Sequence, residues 1–393
     1  MNESTSRERQ DDGAALHIVG AGPAGLACAI VLARGGRSVV VHDRRKQSGA
    51  RFHNDFQGLE NWTGPADILT ELAKEGIAPT FDYVPATKGV AFDVAGKAYP
   101  IESKKPLYYL VRRGAAPGTL DQGLLEQAGA LGIDIRFDDR IDEIEGPAVL
   151  AIGPRTADAI AAGYVFETDM ADGNWICFNE ALAPKGYAYL LVAGGRGTVA
   201  SCMFTHFKDQ RQHVERTLDF FRKRVGLNMK NKKIFGGYGN FRFPRSGVQG
   251  GKLVIGEQAG FQDSLAGFGM SYALRSGILA ARSLLEGRDY TALWRRSLAP
   301  LLRTSISNRF LFNIVGERGR AWALSRHIAK GDARRALGQL YRPWWLSRLV
   351  YPLARWRYRA PLRDKSCNHV NCACVWCEHG VQMACPATDC LGA

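Results

Sequence analysis

The chain has 393 residues, of which 46% are hydrophobic and 23% charged, and its 52 Lys and Arg against 38 Asp and Glu give a formal net charge of +14. This composition is typical of a soluble globular protein, and the length predicts two or three domains. Residues 1–13 lack the apolar stretch of a signal peptide, and no uninterrupted apolar run approaches the roughly 18 to 20 residues that span a bilayer. We therefore expect a cytoplasmic protein, with a peripheral position on the membrane surface as an alternative.

Residues 16–43 predict a strand, a glycine turn, a helix and a second strand that ends on Asp43. In the turn, Gly20 permits the tight bend, Gly22 lets the backbone approach a pyrophosphate, and Gly25 lets the helix pack closely on the strand. The free N–H groups at the helix start then face the phosphates. Asp43 lies 21 residues after Gly22, near the spacing of a carboxylate that binds a ribose hydroxyl. Together these features predict a dinucleotide-binding half-site.

A polar and aromatic loop, residues 48–62, follows this half-site, where active-site loops tend to lie. Arg44 and Arg51 are candidates for phosphate contacts, and solvated surface arginines are an equally open alternative for each.

Further pieces of a parallel sheet are expected downstream. Strand-like runs occur at 107–111, 133–137 and 149–153, and residues 67–74 resemble a helix. Thr119 begins a capping box that opens another helix. We expect the three strands to extend the parallel sheet.

The middle of the chain predicts a different architecture. Residues 163–207 alternate apolar and polar positions between turns, which favours an antiparallel sheet, and residues 214–225 show a helical apolar stripe. The nucleotide-binding pattern resumes at 252–255, where a strand runs into the glycine turn at Gly256 and then a helix over 272–285.

The glycine turn with Asp43, the pair Arg112-Arg113, the strand at 149–153 and the GEQAG…GFG block at 256–269 come in the order seen in class-A flavoprotein hydroxylase-like proteins. The chain most closely resembles the geranylgeranyl reductase branch of that FAD-dependent superfamily, over roughly residues 14–290. The resemblance implies an α/β fold with a discontinuous Rossmann-like FAD-binding domain and an antiparallel-sheet substrate domain, followed here by a C-terminal helical segment. The expected divisions are an FAD-binding domain at 14–62, 106–155 and 245–290, a substrate domain at 63–105 and 156–244, a basic helical segment at 291–365 and a Cys-rich tail at 366–393.

The resemblance also implies FAD as cofactor. The pyrophosphate would lie at the glycine turn and the adenosine ribose at Asp43, with Arg113 near the phosphates and Arg112 the neighbouring candidate. Glu257 stands where the family has an Asp on the ribityl chain. The expected FAD-binding residues are Gly20, Gly22, Pro23, Ala24, Gly25, Asp43, Arg44, Arg51, Arg113, Gly256, Glu257, Gly267, Gly269 and Met270.

The substrate motif of that branch, Tyr-x-Trp-x-Phe-Pro, has a diverged copy at Tyr187-Ala-Tyr189, which lacks the Trp and the Phe-Pro. The resemblance implies that both tyrosines line the substrate cavity, although strand tyrosines are also common as plain core or surface residues.

The positive charge is concentrated in one segment. Residues 290–365 contain 17 Lys or Arg and three acids, with arginines interleaved with Trp and Tyr. Such a segment suits an interfacial helix on anionic lipid, and an ordinary helical domain with an arginine-covered solvent face is the open alternative. We expect no nucleic-acid partner, because no recognised nucleic-acid module accompanies the charge.

Six of the nine cysteines lie in the last 27 residues. Closely spaced thiolates converge readily on one ion, and a metal site is expected at Cys367, Cys372, Cys374 and Cys377. Zn and an iron–sulfur cluster remain equal alternatives. The site would serve either as a structural clip or as a relay of electrons to the flavin.

The sequence therefore predicts an FAD-dependent oxidoreductase that reduces carbon–carbon double bonds of a hydrophobic, isoprenoid or lipid-like substrate. One alternative is an FAD-dependent monooxygenase or halogenase, and another is a non-enzymatic metal- or lipid-binding protein on a flavoprotein scaffold. No catalytic residue is assigned; His53, Asp55 and Glu60 are the candidate proton donors. The reductant, NAD(P)H or an electron-donor protein, stays open.

Overall fold

The computed structural model describes residues 15–154, 157–241, 243–244, 246–328 and 331–358, together with Val375 and Cys377. The strands are β1 Leu16–Val19, β2 Val39–His42, β3 Asp55–Glu60, β4 Tyr83–Ala86, β5 Lys88–Phe92, β6 Ala98–Glu102, β7 Tyr108–Arg113, β8 Asp134–Arg136, β9 Ala148–Leu150, β10 Ala159–Glu167, β11 Gly173–Cys177, β12 Tyr187–Ala193, β13 Arg196–Met203, β14 Lys230–Gly239, β15 Val248–Gln249 and β16 Lys252–Val254. The helices are α1 Pro23–Arg34, α2 Ile68–Lys74, α3 Leu120–Ala130, α4 Gln210–Val225, α5 Gly256–Ala259, α6 Met270–Glu286, α7 Tyr290–Ser297, α8 Ala299–Ala323, α9 Ala333–Tyr341 and α10 Trp345–Arg357.

The first layer is a six-stranded sheet in the order β15-β16-β9-β1-β2-β8. All pairs in it are parallel except β15 with β16, so it has the architecture of a doubly wound nucleotide-binding sheet. Its strands come from separate stretches of chain, which confirms the discontinuous Rossmann-like domain expected from the sequence.

Helix α1 packs on strands β1 and β2 of this sheet, and helix α6 packs closely against α1. A side chain at Gly277 of α6 would place its Cβ 2.2 Å from the carbonyl oxygen of Ala24, so the glycine allows the two helices to approach. Leu26 and Ile30 of α1 are fully buried beside Leu274 of α6. This packing fixes the start of α1 relative to the carboxyl ends of the strands.

The second layer is a seven-stranded sheet in the order β14-β10-β13-β12-β11-β5-β6, antiparallel except where β5 pairs with β11. The alternation along β12 divides its residues between two environments. Ala188, Leu190 and Val192 are buried in the core that includes α4, whereas Tyr187 and Tyr189 point to the opposite face. The antiparallel sheet expected from the sequence is therefore present.

One strand expectation was wrong. The run at 107–111 does not extend the parallel sheet: strand β7 pairs antiparallel with β3 and β4 in a separate three-stranded sheet. The expected runs at 133–137 and 149–153 do join the parallel sheet as β8 and β9. An apolar run of that length fits either kind of pairing, because the partner strand decides the direction.

The C-terminal part of the described chain is helical, as expected. Helix α7 packs against α6, α8 packs against α7, α9 and α10, and α8 is interrupted at Gly316, which has φ 61° and ψ −171°. A π-helical turn, Leu324–Ile328, follows α8. Among the helices that the structure describes, none is long and apolar enough to cross a membrane.

Candidate active site

A single cavity of about 1470 Å³ runs from the carboxyl ends of the parallel strands to one face of the antiparallel sheet. Its size exceeds the roughly 300 to 1,000 Å³ of sites for one drug-sized ligand. Of the fourteen residues expected to bind FAD, every one except Gly25 lines it. The cavity is therefore large enough for an extended cofactor and a second molecule.

The glycine turn forms one end of the cavity. Gly20 has φ +117°, and a Cβ there would lie 2.3 Å from the carbonyl oxygen of Ala151. A Cβ at Gly25 would lie 1.9 Å from the oxygen of Gly20, which explains why this glycine packs behind the turn instead of lining the cavity. Gly22 is the N-cap of α1, and a Cβ there would meet no atom within 4 Å. The free N–H groups of α1 thus open into space beside Gly22.

Asp43 stands at the end of β2 in the cavity wall. Its Oδ2 accepts a hydrogen bond from the N–H of Ala21 at 2.8 Å, and its Oδ1 accepts from the N–H of Arg45 at 2.9 Å. A carboxylate has about four acceptor sites, so both oxygens keep capacity for ligand hydroxyls. Arg44 is exposed at the same wall.

Arg51 and Glu257 form an ion pair across the cavity, with Nη1 and Oε2 3.0 Å apart and about a fifth of each side chain exposed. Arg51 also donates to the carbonyl of Tyr238 and stacks 4.6 Å from the centre of that ring. Its Nε is buried, and no described residue accepts from it. The ion pair with Arg51 thus holds the Glu257 carboxylate at the cavity, and the Nε–H of Arg51 remains available to donate to a ligand acceptor.

Arg113 is held by a buried bidentate pair with Asp121, in which both N–O distances are 2.9 Å. Burial alone would lower the pKa of Arg113, but the carboxylates of Asp121, Asp55 and Glu257 together outweigh burial and raise it. The guanidinium stacks on Phe52 at 4.1 Å and remains at the cavity surface. Arg112 points elsewhere and donates to Asp82, outside the cavity.

The second glycine block closes the middle of the cavity. Gly256 has φ +61° and its N–H donates to Ser276 Oγ at 2.9 Å, which anchors α5 to α6. Gly267, with φ +80°, precedes α6, and Gly269 is the N-cap of α6. Backbone of this block, up to Met270, therefore faces the cavity between the two sheets.

The far end of the cavity is an apolar chamber. Tyr187, Tyr189 and Leu191 of β12 form its floor, and burial raises the pKa of both tyrosines well above the ordinary value. The Tyr187 hydroxyl donates to the carbonyl of Ala266, which ties the floor to the glycine block. Helices α8 and α9 and the segment after α9 cover this end with Leu311, Phe312, Val315, Leu337, Leu340 and Trp344.

Of the three candidate proton donors, only Asp55 lines the cavity. It is 2% exposed, and burial raises the pKa of its carboxyl despite hydrogen bonds from the His53 N–H and the Gln57 side chain. Glu60 is buried outside the cavity and accepts from Trp62, Thr63 and Ser271, which is a structural arrangement. His53 is exposed outside the cavity.

Several cavity residues were not predicted. His42 lines the cavity beside Asp43, and its two ring nitrogens lie 2.7 Å from Asp139 Oδ2 and 2.8 Å from a ring nitrogen of His17. The helices that cover the apolar chamber were assigned to a separate segment. Neither feature has a local signal, because each depends on elements distant in sequence meeting in space.

The expected metal site lies mostly outside the described residues. Cys367, Cys372 and Cys374 are not among them, and Cys377 is half-buried beside the core of the antiparallel sheet. Within the described part of the chain, no group of three or more His, Cys, Asp or Glu is arranged to hold a metal ion. Zn or iron–sulfur binding by the tail stays a prediction.

Comparison with known proteins agrees with this geometry. Residues 18–67 match the family model of the NAD(P)-binding Rossmann-like domain. The chain is 23% identical over 303 residues to digeranylgeranylglycerophospholipid reductase of Methanosphaerula palustris, a match that covers 68% of this chain and 75% of the relative.

Three solved structures share the fold. A geranylgeranyl bacteriochlorophyll reductase-like protein from Thermoplasma acidophilum has a TM-score of 0.55 and 16% identity, and the match covers 90% of this chain and 98% of that chain. The flavin-dependent brominase Bmp2 has a TM-score of 0.61 and 15% identity, with 87% and 98% covered. CtdE in complex with FAD has a TM-score of 0.53 and 14% identity, with 86% and 99% covered. The fold and the resemblance expected from the sequence are confirmed.

Proposed function

We propose that this chain is an FAD-dependent oxidoreductase that reduces a carbon–carbon double bond of an isoprenoid or other lipid-like substrate. The observation that carries the proposal is the one cavity that joins the glycine turn of α1 to the apolar chamber on the antiparallel sheet. The name of the Methanosphaerula palustris relative, a digeranylgeranylglycerophospholipid reductase, supports a lipid substrate of this class.

The residues present fit FAD. The open space beside Gly22 at the start of α1 suits a pyrophosphate, and Asp43 suits ribose hydroxyls. Arg51 offers a buried Nε that no described residue satisfies, next to Glu257, where a ribityl chain would pass. FAD, when bound, supplies hydride chemistry, while the protein supplies binding, orientation and electrostatics.

The chain's own residues would supply the remaining requirements of a reduction. Tyr189 and Phe312 line an apolar chamber that orients a hydrophobic chain and excludes water. Saturating a double bond requires one hydride and one proton. We assign the proton to Asp55, because burial keeps its carboxyl protonated to a higher pH than in water, and general acids work best in that state.

The proposal is tested under anaerobic conditions. The FAD-loaded full chain, reduced with dithionite, is mixed with a polyprenyl lipid, and the product is analysed by mass spectrometry. We expect a gain of two hydrogens per double bond and, in heavy water, deuterium at both carbons of each reduced bond, because the N5–H of reduced flavin exchanges with solvent. Asp55→Asn should lose this product, whereas His53→Gln, which changes an exposed residue outside the cavity, should keep it. Reoxidation of the flavin without any saturated product would overturn the reductase proposal.

A second candidate is monooxygenation or halogenation, which the similarity to the brominase favours through its TM-score of 0.61. Oxygen consumption in step with substrate conversion would support it, whereas saturation of the alkene without oxygen would exclude it as the main activity. The reductant is identified in a parallel anaerobic assay without dithionite: NAD(P)H alone either bleaches the flavin or leaves it oxidised until an electron-donor protein is added.

A further inference from the structure

Helix α10 turns an apolar stripe outwards. Four of its large apolar side chains are between 52% and 68% exposed: Trp345, Leu349, Leu353 and Trp356. At about 100° per residue these positions fall within an arc of about 80°. Ser347 and Ala354, 4% and 0% exposed, occupy the opposite side of the helix, and the Ser347 carbonyl accepts from Ser307 of α8. The stripe is thus the face that α10 does not use to pack on the protein.

Arginines border the stripe on both sides. Arg348 and Arg355 lie along one edge and Arg357 along the other, and all three are exposed. Between residues 314 and 358 the only acids are Glu317 and Asp332. Both accept backbone hydrogen bonds, Glu317 from Glu180 at 2.7 Å and Asp332 from Lys104 at 2.8 Å. The stripe is therefore apolar with a positive border.

The stripe is continuous with the opening of the cavity. Trp344 is 40% exposed, lines the cavity and has its ring centre 6.2 Å from that of Trp345. Leu340 and Val315, 41% and 49% exposed, also line the cavity. The apolar chamber thus opens beside the outward face of α10.

We propose that the outward face of α10 docks on the surface of an anionic phospholipid bilayer. Apolar side chains with Trp at headgroup depth and arginines along the border are the properties of an interfacial helix, and anionic lipid supplies the opposite charge. A second copy of this chain is a poorer occupant, because pairing the two faces would bring their arginines together. If the proposed function holds, on which this last step rests, a lipid substrate passes from the bilayer into the chamber without crossing water.

The test is co-sedimentation of the full chain with vesicles of one part phosphatidylglycerol to two parts phosphatidylcholine. We expect binding that weakens with added salt, and a partition coefficient at least about tenfold lower for the double variant Leu349→Gln, Leu353→Gln. Arg348→Gln should lower it about fivefold. The matched control is Ile234→Gln with Val84→Gln, which removes two exposed apolar side chains, 75% and 43% exposed, from strands elsewhere. Thermal unfolding of each variant establishes that it is folded.

The outcomes are distinguishable from those of the reductase test, because vesicle binding needs neither flavin nor turnover. Equal binding by wild type and the α10 double variant would overturn the proposal, and so would equal loss in the control. The proposal would also be overturned if the wild type failed to bind vesicles but formed a dimer in light scattering, and the α10 double variant were a monomer. That result would assign the outward face of α10 to a second copy of this chain. Binding to pure phosphatidylcholine as strong as to the mixture would overturn the role of the arginines.

Discussion

The substitution Gly22→Ala should weaken FAD binding with little effect on the stability of the fold. Gly22 has φ −86° and ψ 179°, which any residue adopts, and a Cβ there would meet no protein atom within 4 Å. The free energy of unfolding should therefore fall by no more than about 1 kcal/mol, which is the effect of a less favourable N-cap residue. The new methyl group would instead occupy the space where a pyrophosphate approaches α1. Overpacking costs about 1 to 3 kcal/mol, and about 1.4 kcal/mol is tenfold in affinity, so FAD should bind about 5- to 150-fold more weakly.

The assay is titration of the apoprotein with FAD, followed by quenching of flavin fluorescence, beside thermal unfolding without FAD. Gly129→Ala is the matched control, because Gly129 is an exposed helical position outside the cavity with no atom within 4 Å of an added Cβ. It should leave FAD affinity unchanged and stabilise α3 by up to about 1 kcal/mol. FAD affinity in Gly22→Ala equal to wild type would refute the placement of the pyrophosphate at this turn.

Three further outcomes are expected. Gly25→Ala should lower the free energy of unfolding by at least about 1 to 3 kcal/mol, since its Cβ would lie 1.9 Å from the Gly20 oxygen; an unchanged denaturation midpoint would contradict this close packing. Asp121→Asn should lower the free energy of unfolding, measured with urea, by about 3 to 5 kcal/mol, because it leaves Arg113 buried without its carboxylate partner. A decrease below about 1 kcal/mol would show that the pair does not stabilise the fold. Asp55→Asn should slow alkene reduction about 100- to 10,000-fold. Because burial raises the pKa of Asp55, the wild-type rate should fall as pH rises through that pKa, and the stability that Asp55 contributes below its unfolded pKa should be lost over the same rise. A pH profile that Asp55→Asn leaves unchanged would remove Asp55 from the proton transfer.

The local part of this architecture is predictable from the sequence. The turn from Gly20 to Gly25 has a recognisable spacing because Gly20 and Gly25 each meet a steric demand from nearby backbone, such as the Ala151 carbonyl at Gly20, whereas Gly22 borders open space. The helix start at Thr119 is equally local, and its hydroxyl accepts from the Gln122 N–H as the capping box predicts. Both signals depend on neighbours only a few residues away or on one adjacent strand.

The remainder depends on contacts between distant segments. Asp121 supports Arg113, and Arg51 reaches Glu257, although 206 residues separate the latter pair. Strand β7 shows the same limit, since its apolar run does not reveal that β3, rather than β1, is its partner. Helices α8 and α9, which cover the apolar chamber, could not be assigned to it from the sequence either. Their cavity-facing residues have the same spacing as the apolar positions of any amphipathic helix.

We expect this chain to bind FAD in the cavity between its two large sheets. The most direct measurement is the visible absorption spectrum of the full chain after incubation with FAD and removal of free cofactor. We expect flavin bands at close to one FAD per chain in wild type and clearly less in Gly22→Ala. Wild-type protein that emerges folded but without flavin bands would contradict FAD binding in this cavity.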